Sequence, residues 1–176
     1  MIAFGVNFSA YYLILKKKFR QAIAIEEVRC YLGIIAAAIV IIAINTRHLF
    51  SGIGTAVQQA AFQVGSIITT TGYSSTDFNQ WPSLSKAVLV LLMFIGACAG
   101  STGGGIKVSR ILLLCKAAGK ELQHYLHPSS VKKLKMDDKP VSHEMLRSTN
   151  IFLSVYLINF AASILIVAID NFDLVS

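Results

Sequence analysis

"SIITTTGYSST", residues 66–76, runs between two long apolar stretches and carries no charge. Three consecutive threonines, a glycine and a tyrosine are a poor recipe for a packed core. Hydroxyls around a glycine suit a backbone that leaves the helical path and turns its carbonyls toward something. Where this stretch sits decides the fold.

The composition around it is that of a membrane protein. Only 14% of the 176 residues are charged, against about 25% in a typical soluble domain, and mean hydropathy is +0.63. The net charge of +7 raises the question of nucleic acid. However, the basic residues lie in blocks beside apolar runs, which fits an inner membrane surface and argues against nucleic acid as a partner. Cys30, Cys98 and Cys115 are odd in number, and two of them fall in apolar runs. No disulfide framework follows, and a reducing or lipid setting fits. Lys16, Lys17 and Lys18 come after the first apolar stretch, so the layout is not that of a signal peptide.

Apolar runs set the organisation. Residues 1–15 read as the end of a helix that stops at the basic cluster of 16–20. Residues 30–46, 87–106 and 148–169 are uncharged runs long enough, or nearly so, to span a bilayer with snorkelling flanks. Trp81-Pro82 opens the second of these, proline being well placed at a helix start. Residues 49–76 are also uncharged, but Gln58, Gln59 and Gln63 sit in the middle. Unpaired amides facing lipid are costly.

Charge asymmetry decides between a span and a loop. Lys16, Lys17, Lys18, Arg20 and Arg29 precede the 30–46 run, and nine further basic residues lie within 107–147. Only Arg47 and Lys86 flank the puzzling segment. A crossing at 49–76 puts the two basic blocks on opposite sides; a segment that dips in and returns puts both in the cytoplasm. The middle of the chain therefore reads as span, re-entrant helix, span. The helix runs from Gly52 to about Ile68 and reaches roughly 20–25 Å. Residues 69–78 then climb back as extended backbone, which survives at that depth only inside protein or along a water-filled path. A helix C-terminus aimed at the membrane centre favours a cation there. Thr70, Thr71, Gly72 and Tyr73 are the candidate carbonyl rungs that replace a cation's water; the plainer reading is an extracellular turn.

A second stretch needs the same weighing: "GACAGSTGGGIKVSR", residues 96–110. A phosphate loop requires Gly-Lys-Ser/Thr in sequence, and here Ile106 separates Gly105 from Lys107, so that reading fails. Gly96 and Gly100 form a GxxxG pair suited to close helix packing. Packing does not explain Gly103-Gly104-Gly105, which should break a spanning helix, since each glycine costs about 1 kcal/mol relative to alanine. A broken helix beside a cation path is a candidate gate, with Gly100, Ser101, Thr102, Gly103, Gly104 and Gly105 as the loop and Lys107 supplying charge. His124 and His127 have helical spacing but no accompanying ligands, so no metal site other than one for a transported ion is expected. Asp170 and Asp173 read as solvated outer charges, and Tyr73, Phe78 and Trp81 as an interfacial aromatic belt. No nucleophile–base pair or catalytic carboxylate pair is present, which argues against an enzyme.

"AFQVGSIITTTGYSSTDFNQWP" followed by "LLMFIGACAGSTGGGIKVSRILLL" resembles the Trk/Ktr family of potassium-uptake proteins. The resemblance implies an all-α integral membrane fold, built of span–pore loop–span repeats like those of potassium channels, four to a chain around one ion path. Four repeats do not fit in 176 residues, so the fold implied here is incomplete. Residues 1–20 correspond to the end of a preceding repeat, and 28–120 to one complete repeat, the third. Residues 121–142 correspond to a basic cytoplasmic loop, and 143–176 to the first helix of the next repeat. The resemblance further implies a filter at Thr70–Tyr73, an intramembrane gating loop at 100–107, and potassium as the bound and transported ion. It also implies a homodimer in the bacterial inner membrane, multi-pass, with a cytosolic ring of nucleotide-binding regulatory subunits of the TrkA/KtrA kind. The rival from another class is a non-conducting membrane scaffold or assembly subunit whose glycines only pack helices.

The topology makes the first prediction. With Ser75 outside and Ser130 in the cytoplasm, Ser75→Cys should react with an impermeant thiol reagent added externally and Ser130→Cys should not. External labelling at position 130 would end the re-entrant reading.

Overall fold

The structure, a computed structural model, describes residues 1–126, 134–137 and 139–169. His127, Ser130, Asp170 and Asp173 lie outside the described residues. The fold is mostly helical and divides into two units, residues 1–115 and the remainder from Lys116.

In the first unit a one-turn 3-10 helix, Ile2–Gly5, leads into α1 (Phe8–Leu15) and α2 (Phe19–Ala24). The single helix expected over residues 1–15 is thus broken. The Asn7 side chain accepts from the Ser9 N–H at 2.8 Å and starts α1, a standard N-cap use of asparagine. The following turn is closed by Lys17 at a φ of 59°. Ala10 and Ala22 are buried against Val28, so α1 and α2 fold onto the start of the helix that follows.

Helix α3 (Glu26–Thr46) begins four residues before the uncharged run does. Glu26 and Glu27 occupy its first turn, where unpaired amide groups favour carboxylates. One face of α3, with Tyr31, Ile35, Ala38 and Ile42, is buried against one face of α4 (Ile53–Ile68), with Ala60, Val64 and Ile68. The alanines let the two backbones approach closely. Asn45 of α3 donates to the Ser85 hydroxyl of α5 (Ser83–Phe94) at 2.9 Å, tying a third helix to the pair.

Two expectations are corrected here. The helix expected over 87–106 ends at Phe94, well before the glycine triplet, and the chain resumes helical form only at Val108, the start of α6 (Val108–Leu126). Trp81 is not in an interfacial belt: it is 4% exposed and packs in the core with Leu89 and Val64. Pro82 beside it is extended, with φ −56° and ψ 149°, and precedes the first residue of α5. Phe78 is partly buried against the same core, and Tyr73 is exposed.

The second unit contains a short antiparallel pair, β1 (Lys135–Met136) with β2 (Lys139–Pro140), and the long helix α7 (His143–Ile169). Among the described residues, two helical stretches are long and apolar enough to cross a membrane, Glu26–Leu49 and His143–Ile169. Helix α4 is too short to do so.

Candidate functional site

Helix α4 ends because Thr69 and Thr70 replace its next turn with side-chain bonds. The Thr69 hydroxyl donates to the Gly65 carbonyl at 2.6 Å and meets the Thr71 hydroxyl at 2.7 Å. Thr70 takes a left-handed φ of 55°, and Gly72 follows at 78°. A threonine in that region is strained, so surrounding contacts must hold it there. The Thr71 and Gly72 amides both point back at the Ser66 carbonyl, 2.9 and 3.4 Å away, and the Ser66 hydroxyl donates to the Tyr73 carbonyl at 2.5 Å.

Two of the three glutamines that look misplaced in the sequence, Gln59 and Gln63, contact the return segment, while Gln58 is exposed. The Ser74 hydroxyl, which donates to the Thr76 carbonyl at 2.5 Å, also stands 3.3 Å from the Gln63 amide oxygen, and the Ser75 hydroxyl donates to Gln59 at 2.5 Å. Gln63 is 2% exposed, so its amide faces protein rather than solvent or lipid. With N–H groups and side chains committed inward, the carbonyls of Thr70, Thr71 and Gly72 accept no hydrogen bond from any described residue. An open depression of about 420 Å³, lined by Ser74, Ser75, Thr76, Asp77 and Phe78, adjoins this segment.

The break between α5 and α6 closes on itself. Gly96 N–H donates to the Ile106 carbonyl at 2.8 Å, Ile106 N–H to Phe94 at 3.1 Å, and Val108 N–H to Ala97 at 3.2 Å. These bonds make a parallel contact between Ile95 and Ile106. The approach needs glycine: a Cβ on Gly96 would stand 2.0 Å from the Gly104 carbonyl oxygen. Gly100 and Gly105 adopt positive φ of 68° and 72°. The Lys107 ammonium donates to the carbonyls of Gly103 and, at 3.5 Å, Ser101. Thr102 is exposed and stands outside this network.

The two stretches singled out in the sequence meet. Gly104 N–H donates to the Thr70 hydroxyl at 2.9 Å, and a Cβ on Gly103 would lie 3.6 Å from the Thr69 carbonyl oxygen. The glycine segment therefore touches the start of the threonine segment through backbone and hydroxyl alone.

The TrkH family, described as cation transport protein, matches residues 12–176. The chain belongs to this family. The Trk system potassium uptake protein TrkH of Salmonella typhimurium is 34% identical over 149 residues, which is 84% of this chain and 31% of that protein. The TrkH of Vibrio parahaemolyticus serotype O3:K6 is 38% identical over 118 residues, covering 67% and 24%. The crystal structure of the potassium transporter TrkH from Vibrio parahaemolyticus superposes with a TM-score of 0.89 at 29% identity, covering 98% of this chain and 38% of that one. The chain thus spans about a third of the length of the TrkH relatives that it matches.

One residue at the site escaped sequence reasoning. Glu27 is 3% exposed; its carboxylate accepts from the backbone N–H of Ala99 at 2.5 Å and Ser109 at 3.1 Å, and from the Asn7 amide at 3.2 Å. In sequence it looks like an ordinary helix-start carboxylate next to Glu26. The one available signal was its place just ahead of an apolar span.

The glycine contacts separate two kinds of substitution. Gly96→Ala should destabilise the protein by about 1–3 kcal/mol or more, because a backbone oxygen blocks the new atom. Gly54→Ala, where nothing lies within 4 Å, should be neutral or stabilising by up to about 1 kcal/mol in its helix. Thermal melting of the purified protein in detergent checks the ordering; equal melting temperatures for the two would contradict the close approach.

Proposed function

We propose that this chain supplies one filter loop and one intramembrane gating loop of a potassium-conducting pore in the bacterial inner membrane. The observation that carries the reading is the set of unengaged carbonyls at Thr70, Thr71 and Gly72, three of the four expected rungs; the fourth, that of Tyr73, accepts from the Ser66 hydroxyl. A cation that leaves water needs oxygen ligands in its place, and backbone carbonyls held from behind supply them without rearranging. Here Ser66, Gln59 and Gln63 do the holding.

The re-entrant course is supported by the same contacts. In lipid every backbone polar group needs an internal partner. The polar face of α4 is spent on the return segment, which lets both lie within a bilayer beside α3. The C-terminal end of α4 adds partial negative charge near the rungs. Asp77, beside the adjoining depression, raises the local cation concentration at the mouth.

The 100–107 segment acts as the gate. Its tie to Thr70 puts it against the lower rung, and Lys107 holds a positive charge within it that opposes a second cation. Movement of the segment away from Thr70 opens the path. The names of the relatives agree with this reading: they describe potassium uptake and a potassium transporter. In the whole protein we assign the basic stretch 107–147 to a cytosolic nucleotide-binding regulatory ring, and the chain to a homodimer surrounded by lipid.

Gly72 and the glycine triplet test filter and gate separately. A Cβ at Gly72 meets nothing within 4 Å; only its positive φ resists side chains, so the effect of substitution is on carbonyl alignment. In the full-length protein, Gly72→Ser should weaken preference for potassium over sodium, and Gly72→Val should abolish uptake. Unchanged selectivity in both, at normal membrane levels, would sink the filter assignment. Deleting residues 103–105 should raise liposome flux per folded protein while leaving selectivity intact. The scaffold alternative expects lower protein level and no gain in flux.

A further inference from the structure

We propose that Glu27 is the positioning residue of the gate: it clamps both ends of the broken segment to α3, so that only the piece between Gly100 and Gly105 moves. The proposal rests on the gating role given above to residues 100–107.

Three separate pieces of chain converge on one carboxylate. One oxygen takes the N–H of Ala99, at the start of the glycine segment, and the N–H of Ser109, just beyond its end. The other oxygen takes the Asn7 side chain, whose own oxygen is already used to start α1. Neighbouring bonds lock the same three pieces. Cys98 N–H donates to the Gly5 carbonyl at 2.9 Å, and the Tyr31 hydroxyl, one turn along α3 from Glu27, donates to the Ile2 carbonyl at 3.0 Å. Tyr31 is fully buried, with no room left beside Gly5.

Burial makes the clamp hard to release. A carboxylate removed from water is tolerated only when its lone pairs are met. All three partners here are N–H donors, and the charge also lies at two helix N-termini, that of α3 and, through Ser109, that of α6. Charge-assisted bonds of this kind are about twice as strong as neutral ones. Withdrawing Ala99 or Ser109 would strand the charge, so those ends stay fixed.

The chain between them has the opposite character. The two glycines at positive φ, Gly100 and Gly105, stand just inside the clamped ends and serve as hinges. The piece that they bracket is held to the threonine segment by the Gly104–Thr70 bond and from within by Lys107. Glu27 therefore sets where the gate bends without itself facing the ion path.

The test uses the full-length protein with its native cysteines replaced and a reporter introduced as Ser101→Cys. A second reporter, Ser75→Cys, serves as the control outside the segment. Two readouts are taken: thiol-modification rate at each reporter, and potassium flux in liposomes per folded protein. Glu27→Asp keeps the charge but is one methylene too short for one oxygen to meet both amides; Glu27→Gln keeps the length and an accepting oxygen. Glu27→Ala, which removes the acceptor, and Glu27→Asp, whose oxygen no longer reaches both amides, should raise the rate at position 101 about tenfold or more. Glu27→Gln keeps the length and one accepting oxygen but gives up the charge and turns an NH2 toward the Asn7 amide, so its rate should fall between those of the parent and Glu27→Ala. Position 75 and the potassium-over-sodium preference should not change. A folded Glu27→Asp variant with the parental rate at position 101, or a Glu27→Gln variant as fast as Glu27→Ala, overturns the clamp; should Glu27→Ala fail to fold, Glu27→Asp decides alone. A parent protein that moves no potassium refutes the pore reading instead, and the modification ratios still judge the clamp.

Discussion

Backbone that leaves a helix must find new partners for its amides and carbonyls, and this requirement governs the structure on both sides of α5. Within a bilayer no water is available to meet the demand. The return segment after α4 meets it in part through the Ser66 carbonyl and hydroxyl, with Gln59 and Gln63 accepting from its serine side chains, and the break before α6 meets it by pairing its own two ends. What remains unmet is as informative as what is met. The carbonyls of Thr70, Thr71 and Gly72 accept no hydrogen bond from any described residue, and the buried Thr76 hydroxyl of the same segment has no partner among the described residues. These carbonyls form an acceptor set held in place by bonds to other atoms of the same residues.

The glycines divide by physical role. Gly96 is required for space, because the Gly104 carbonyl lies where a side chain would begin. Gly72, Gly100 and Gly105 are required for backbone angle, and around Gly72 there is open space. The first kind fixes how tightly the break closes; the second fixes where the chain turns. Thr70 shares the left-handed region without being glycine. Its hydroxyl, which donates to the Thr69 carbonyl and accepts from Gly104, supplies the local bonds that make the strain tolerable.

Coupling between the two segments needs few atoms. One hydrogen bond links Gly104 to Thr70, and the close approach of Gly103 to Thr69 surrounds it. Because the contact is small while the supports on either side are extensive, the joint between them is the weak place in the assembly. A segment anchored at Glu27 and joined weakly at Thr70 can change position without disturbing the helices that carry it.

The apolar runs, the charge blocks and the glycine positions were enough to predict a helical membrane fold with a non-helical stretch after Ile68 and a break near Gly103. Hydropathy and backbone propensity are local properties, and they show in local sequence. Composition could not place the end of α5 at Phe94, because Ile95, Ala97 and Cys98 are as apolar as any helix interior; only the pairing of Ile95 with Ile106, of Ala97 with Val108 and of Cys98 with Gly5 takes them out of the helix. Nor could it tell an interfacial Trp81 from a buried one, since the ring suits either place and its packing with Val64 and Leu89 decides. The roles of Gln59, Gln63 and Glu27 depend on partners 11 to 82 residues away in sequence. A polar side chain in an apolar run announces that it needs a partner. Which partner it finds is decided by packing, because only the folded chain brings those atoms within hydrogen-bond reach.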